Sequence, residues 1–162
     1  MKRRTLLGAL AVAAGSSAAQ TDTAVKPGQP VPWPDMDLLG GGRFNAAQAA
    51  GNAVVVVFWT TTCPFCRRHN QHVEKLHRAA AGKRLRVLGV ARETDAALVA
   101  RYARAQGYSF PITLIQPGLA ALLSPRRVVP MTVTVDRQGR LKQALPGEMF
   151  EEDLLELLQL AA

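Results

Sequence analysis

From Val54 to Trp59 the chain reads Val-Val-Val-Val-Phe-Trp, an unbroken run of β-branched and aromatic residues. A run without polar alternation has no wet face, so it is expected as a strand buried on both sides, inside a sheet with helices above and below. Cys63-Pro64-Phe65-Cys66 follows almost at once and opens a helical stretch to about Ala81, stopped by Gly82. The strand-to-helix junction at Cys63 is therefore the position around which the rest of the chain has to be arranged.

The remaining elements read in order from the same signals. Lys26 is followed by Pro27, Gly28, Pro30, Pro32 and Pro34, which makes residues 20–34 an extended lead-in. Gly40-Gly41-Gly42 marks a turn, and Asn45 can cap a short Ala-rich helix ending near Gly51. Leu85–Ala91 is expected as a second buried strand, then a helix from about Asp95 to Gln106 with Thr94 as its cap and Gly107 as its stop. After Pro111 come a short apolar piece, Ile112–Ile115, and a half-helix from Gly118 to Leu123. Met131–Val135 is a third strand, joined through Asp136-Arg137-Gln138-Gly139 to Arg140–Leu145, and Glu151–Leu160 closes the chain as an amphipathic helix. Strand–helix–strand–helix, then hairpin, then helix implies an α/β domain over residues 35–162, a central mixed sheet with helices on both faces.

The 162 residues carry a formal charge of +8, which raises the question of nucleic acid. The basic residues are scattered, few aromatics accompany them, and no nucleic-acid motif occurs, so a solvated basic surface is expected instead. Three of those charges, Lys2, Arg3 and Arg4, precede the uncharged stretch Thr5–Ala19, and Ser17 and Ala19 stand at the −3 and −1 positions of a cleavage site before Gln20. This is the order of a signal peptide over residues 1–19, whose removal leaves +5. The Arg3-Arg4-x-Leu6-Leu7 run resembles a twin-arginine export signal, and an uncleaved membrane anchor is the alternative. Export would place the protein in the periplasm, where disulfides persist.

Cys63 and Cys66 are the only cysteines. A bridge between them closes too small a loop to restrict the unfolded chain much, so a structural staple is a poor use of the pair. A redox pair gains from the same spacing, because the second thiol stands ready to resolve a mixed disulfide on the first. At a helix N-terminus, free N–H groups and the dipole favour a thiolate at Cys63, the expected nucleophile, with Cys66 the more buried resolving thiol. Pro64 suits the first helical turn, Phe65 lies between the thiols, and Arg67 and Arg68 add positive charge. His69 and His72 could be recruited with the cysteines to zinc or copper, but such spacings along one helix drift around its axis, and no metal site is expected. Covalent haem is excluded because Arg67, not His, follows Cys66. His77, several turns on, reads as a surface or groove histidine.

The segment Phe58-Trp59-Thr60-Thr61-Thr62-Cys63-Pro64-Phe65-Cys66-Arg67 resembles the active-site segment of exported thioredoxin-like proteins of the TlpA and ResA type, and the likeness runs from Pro27 to the last helix. It implies a thioredoxin-like fold. Val129-Pro130-Met131-Thr132 is similar to the family's cis-proline loop, which implies that Pro130 lies against the disulfide and that Val129 offers backbone groups to an extended substrate; a trans proline opening an edge strand is the alternative. Glu93 falls where reductases of this family keep an acid near the resolving cysteine, implying a proton relay to Cys66, against a plain helix-entry acid. Trp59 is expected to pack beneath the active-site loop. The chain departs from the pattern at Thr62, where Trp is common, and at His69 and Gln71, where an acid and a proline are common. A protonated His69 would add positive charge and make the disulfide more oxidising.

The expected function is an exported thiol–disulfide oxidoreductase that reduces protein disulfides without an organic cofactor, the redox-active Cys63–Cys66 disulfide serving instead. A membrane-embedded thiol donor would re-reduce it, its partners would be protein thiols and disulfides, and a monomer is expected. The same site could run backwards as a thiol oxidase. A thiol peroxidase fits less well, because Thr60-x-x-Cys63 lacks the proline such a motif wants where Val56 stands. A copper metallochaperone is the remaining alternative.

Overall fold

A computed structural model describes residues 23–162; the expected signal segment 1–19 and its cleavage site lie outside the described residues. In chain order the elements are β1 (Met36–Asp37), β2 (Arg43–Phe44), α1 (Ala46–Ala49), β3 (Ala53–Trp59), α2 (Pro64–Ala79), β4 (Leu85–Ala91), α3 (Ala96–Gln106), β5 (Ile112–Leu114), α4 (Pro117–Leu123), β6 (Met131–Val135), β7 (Leu141–Pro146) and α5 (Glu151–Glu156), which continues as a 3₁₀ turn, Leu157–Ala161. Five strands form one mixed sheet in the order β5-β4-β3-β6-β7. β3 is parallel to β4 and antiparallel to β6, so both its edges are hydrogen-bonded.

Every residue of β3 is buried, and its side chains divide by parity between two cores. Val54, Val56 and Phe58 pack with Leu88, Val90, Met131 and Val133 against α4, together with Met36 and Phe44 of the β1–β2 hairpin. Ala53, Val55, Val57 and Trp59 pack with Val87 and Ala91 against α2, α3 and α5. The mixed sheet with helices on both faces, expected from the order of strands and helices, is the one observed, and it agrees with the thioredoxin-like fold that the resemblance implies.

Local details follow from capping chemistry. Asn45 caps α1, its Oδ1 accepting from the N–H of Ala47 at 3.0 Å. The cap of α3 is Asp95 rather than Thr94: its carboxylate accepts from the N–H of Leu98 at 3.0 Å, and the helix starts one residue later than expected. The β1–β2 hairpin around Gly40–Gly42 was not foreseen beyond its turn, since each strand is only two residues long. The Pro-rich lead-in is extended and runs beside β7: Gly28 N–H donates to Leu141 O, Leu141 N–H to Gln29 O, and Val31 N–H to Gly139 O, at 2.8, 2.9 and 2.9 Å. Val25 and Val31 insert into the first core.

One glycine within a strand is required by packing. A Cβ on Gly89 of β4 would stand 2.7 Å from Cε2 of Phe110, closer than such atoms approach, and a tight 3.1 Å from Nε1 of Trp59. The aromatic group behind the active-site loop, in which Tyr108 stacks on Phe110 at 5.1 Å and Trp59 lies 5.8 Å from both Tyr102 and Tyr108, needs that bare backbone. Gly89→Ala is expected to lower unfolding stability by about 1–3 kcal/mol, the usual cost of overpacking, measured as a reduced urea midpoint.

Candidate active site

The register of the sheet brings three connections to one edge. Trp59 at the end of β3 is level with Ala91 at the end of β4, and Phe58 is level with Met131 at the start of β6. The loop to Cys63, the turn holding Arg92 and Glu93, and the approach through Val129 and Pro130 therefore meet at the carboxyl ends of β3 and β4. Cys63, Cys66, Glu93, Val129 and Pro130, spread over 68 positions of sequence, are gathered there by topology alone.

Cys63 is the N-cap of α2, in extended conformation, with Pro64 in the first helical turn. Its Sγ accepts a hydrogen bond from the N–H of Cys66 at 3.1 Å, the role a serine or aspartate oxygen plays at other helix starts. The two cysteines are joined as a disulfide with Cα atoms 5.2 Å apart. Cys66 is fully buried among Trp59, Val73 and Val99, whereas Cys63 is half-buried at the rim of the same cluster. The accessible sulfur is thus the one at the helix end, where donors and dipole favour an anion. No acid stands in the first turn of α2 to oppose it.

The neighbours differ from expectation in charge. Arg68 makes a two-pronged contact with Glu148, Nε to Oε1 at 2.9 Å and Nη2 to Oε2 at 2.7 Å, with its guanidinium 5.0 Å above the ring of Phe65. Its hydrogen bonds to Arg68 hold the Glu148 carboxyl below its ordinary range. Arg68 is therefore paired and Arg67 is exposed. Phe65, 57% exposed, is an apolar face beside the sulfurs.

His69 corrects the sequence expectation outright. It is fully buried, and burial, reinforced by neighbouring His72 and opposed by Glu148, lowers its pKa to about 4. A charged imidazole there would lose its hydration without a partner, so the ring is neutral at physiological pH. The N–H of Met149 donates to its Nδ1 at 3.1 Å, and Nε2 lies 3.0 Å from Thr132 Oγ1. His72 Nδ1 lies 3.3 Å from Met149 O. Both imidazoles are committed to the segment before α5, and no group of three or more His, Cys, Asp or Glu side chains placed to hold a metal occurs among the described residues. His77, on the last turn of α2, is half-buried, and burial lowers its pKa.

Glu93 reaches the cysteine loop through Thr61: Oε1 accepts from the Thr61 N–H at 2.6 Å and from its hydroxyl at 2.9 Å, two residues ahead of Cys63. Oε2 is buried and has no hydrogen-bond partner among the described residues. The Val129–Pro130 bond is cis, Pro130 is buried, and Val129 is half-buried against the cluster that holds both cysteines. Sequence reasoning missed Thr61, Thr132 and Met149 as partners. The signal for His69 was available, since Cys66, His69, Val73 and Leu76 recur at helical spacing on one face, which marks position 69 as buried.

The match to known proteins agrees with this geometry. Residues 27–145 match the AhpC/TSA family. The chain is 28% identical over 126 residues to the thiol-disulfide oxidoreductase ResA of Halalkalibacterium halodurans, covering 77% of this chain and 71% of that protein. Among solved structures it is similar to a thiol:disulfide interchange protein of the thioredoxin family from Chlorobium tepidum, with a TM-score of 0.72 and 22% identity over 85% of this chain and 97% of that one. It is also similar to a secreted thiol-disulfide isomerase from Corynebacterium glutamicum, at a TM-score of 0.71 and 25% identity over 81% and 84% of the two chains.

A histidine that takes up a proton near pH 6.5 when unfolded but only near pH 4 when folded makes the unfolded chain the better proton binder between those values. Stability is therefore complete above pH 6.5 and falls as pH drops toward 4, by on the order of 3 kcal/mol at about 1.4 kcal/mol per pKa unit. Urea unfolding at pH 7.5 and pH 4.5 should show this loss, and His69→Gln, which does not titrate, should flatten it.

Proposed function

The chain belongs to the AhpC/TSA family as a TlpA/ResA-like, thioredoxin-fold thiol–disulfide oxidoreductase, and we propose that it is exported and works as a reductase of protein disulfides. In this reading the reduced Cys63 thiolate attacks one sulfur of a substrate disulfide. A Cys63–substrate bond forms, and the other substrate sulfur leaves as a thiolate and takes a proton. Cys66, deprotonated, then attacks Cys63, the second substrate thiol departs, and the Cys63–Cys66 disulfide remains. Two electrons pass from the cysteine pair to the substrate. The exchange itself calls for no organic cofactor or metal, because the sulfurs supply and store both electrons.

Each neighbouring residue has a part in that sequence. The N-cap position holds Cys63 where backbone donors face its anion. Glu93, with one oxygen tied to Thr61, has its second oxygen left to accept the proton of Cys66. Val129, beside the buried Pro130, offers backbone to an extended polypeptide, and Phe65 supplies an apolar flank. A membrane-embedded thiol donor completes the cycle by returning the pair to its reduced form. No helix among the described residues is long and apolar enough to cross a membrane.

The direction of electron flow rests on one observation: His69 is fully buried with both ring nitrogens on uncharged partners, Met149 N–H and Thr132 Oγ1, an arrangement that keeps it neutral. An oxidising pair needs a strongly stabilised thiolate, and here His69 lends no charge while Arg68 is spent on Glu148. The helix terminus and Arg67 remain, which suits a reducing pair. A reduction potential below about −250 mV is expected; a value near about −200 mV or higher would reassign the protein as a thiol oxidase.

Insulin reduction should occur with the wild type and with neither Cys63→Ser nor Cys66→Ser. The Cys66→Ser variant should accumulate a mixed disulfide on Cys63, visible by mass spectrometry. Full activity in Cys63→Ser would end this assignment of roles.

A further inference from the structure

One turn beyond Cys66, His69 brings three parts of the chain together on a single ring. Met149 N–H donates to Nδ1, and a ring nitrogen that accepts carries no proton, so in the neutral imidazole the proton sits on Nε2. Nε2–H then donates to Thr132 Oγ1 at 3.0 Å. Both nitrogens are satisfied by one tautomer inside a fully buried site. The three parts are the helix that starts at Cys63, the strand that follows Pro130, and the segment leading into α5.

The anchor on the sheet is firm. Thr132 lies in β6 between Val57 of β3 and Leu145 of β7, two residues beyond Pro130. The second anchor is held to α2 by His72 at Met149 O and by Arg68 at Glu148, and to the start of β6 by Gly147 N–H, which donates to Pro130 O at 2.8 Å. A shift of α2 along β6 would break both bonds of the ring and change the separation between Cys63 and the backbone of Val129.

We propose that His69 is a positioning residue, whose neutral imidazole sets the redox helix in register with the strand carrying the Val129–Pro130 loop. A polypeptide disulfide laid along that loop then meets Cys63 in attacking geometry. The inference rests on the thiol–disulfide reading above and gives His69 neither contact with substrate nor a proton to move. It makes a specific demand. A polypeptide must satisfy two points at once, its sulfur at Cys63 and its backbone at Val129, whereas a small disulfide needs only the first. Loss of the ring should therefore weigh on polypeptide substrates far more than on small ones, a split that general destabilisation would not produce.

The test compares wild type, His69→Leu, His69→Gln and Thr132→Val, all reduced beforehand, against dye-labelled insulin and against 5,5′-dithiobis(2-nitrobenzoic acid). His69→Leu should raise the KM for insulin by about tenfold, the scale of one or two lost buried hydrogen bonds. Its loss with the small disulfide should be at least about fivefold smaller. His69→Gln, with one oxygen to accept from Met149 and one N–H to donate to Thr132, should recover most of the insulin KM. Thr132→Val removes only the acceptor on the sheet, and should show the same split to a lesser degree even if His69→Leu fails to fold. Imidazole nitrogen shifts at pH 7 should show Nε2 protonated and Nδ1 bare. Equal losses on both substrates in the folded variants, an unchanged insulin KM, or the opposite tautomer would overturn the inference. If the wild type itself does not turn over insulin, the oxidoreductase reading falls and takes this one with it; if the wild type does and the variants show no split, this one falls alone.

Discussion

A helix that begins inside a folded chain leaves its first N–H groups without partners, and at the start of α2 the acceptor is a sulfur. Cys63 caps the helix because Pro64 needs no partner, and because the N–H of Cys66 lies within reach of Sγ. The chemistry depends on that contact. The same backbone donors that end an unfavourable helix terminus stabilise a thiolate when the bridge to Cys66 is open. β3 makes the arrangement rigid: paired on both edges and buried on both faces, it holds the loop to Cys63 at a fixed height above the sheet.

Burial then separates two residues of one kind. Cys66 faces the core with Trp59 behind it, while Cys63 stays at the rim, so the two sulfurs differ in access without any difference in residue type, as the proposed division into attacking and resolving thiol requires. Around them, polar residues act in pairs across the fold. Glu93 holds Thr61, Arg68 holds Glu148, and His69 holds Thr132 and Met149. Glu74 does the same further along α2. Burial pushes its carboxyl up, but donors from Ser109, Arg78 and Phe110 outweigh this and hold it below its ordinary range. The contacts of Arg68, His69 and Glu74 fasten α2 to β6, to the segment leading into α5 and to the segment ahead of β5, and the cysteines inherit the result.

Much of this was legible in the residues because burial leaves a strong mark on composition. The Val54–Trp59 run could only be an interior strand, and a Cys-x-x-Cys directly after it had to stand at a helix start. Contacts between distant residues left no such mark. Thr132 looks like any strand threonine until β6 is set beside α2, and a charged His69 is set aside only once its place on the buried face of α2, with Cys66, Val73 and Leu76, is taken into account. Thr94 and Asp95 are both good caps, and only the backbone could choose between them. The β1–β2 hairpin was too short for any periodicity to register.

The extended segment ahead of the domain has a further consequence. A sheet with five strands has two open borders, and a border with free amides invites strands from other molecules. Along the start of β7 that border is already occupied, with the donors of Gly28 and Val31 turned inward and Gln29 N–H used on Lys26. Pro30 and Pro32 have no amide hydrogen to present outward. The proline spacing thus works as insulation: it closes the border locally and offers an incoming chain almost nothing to bind.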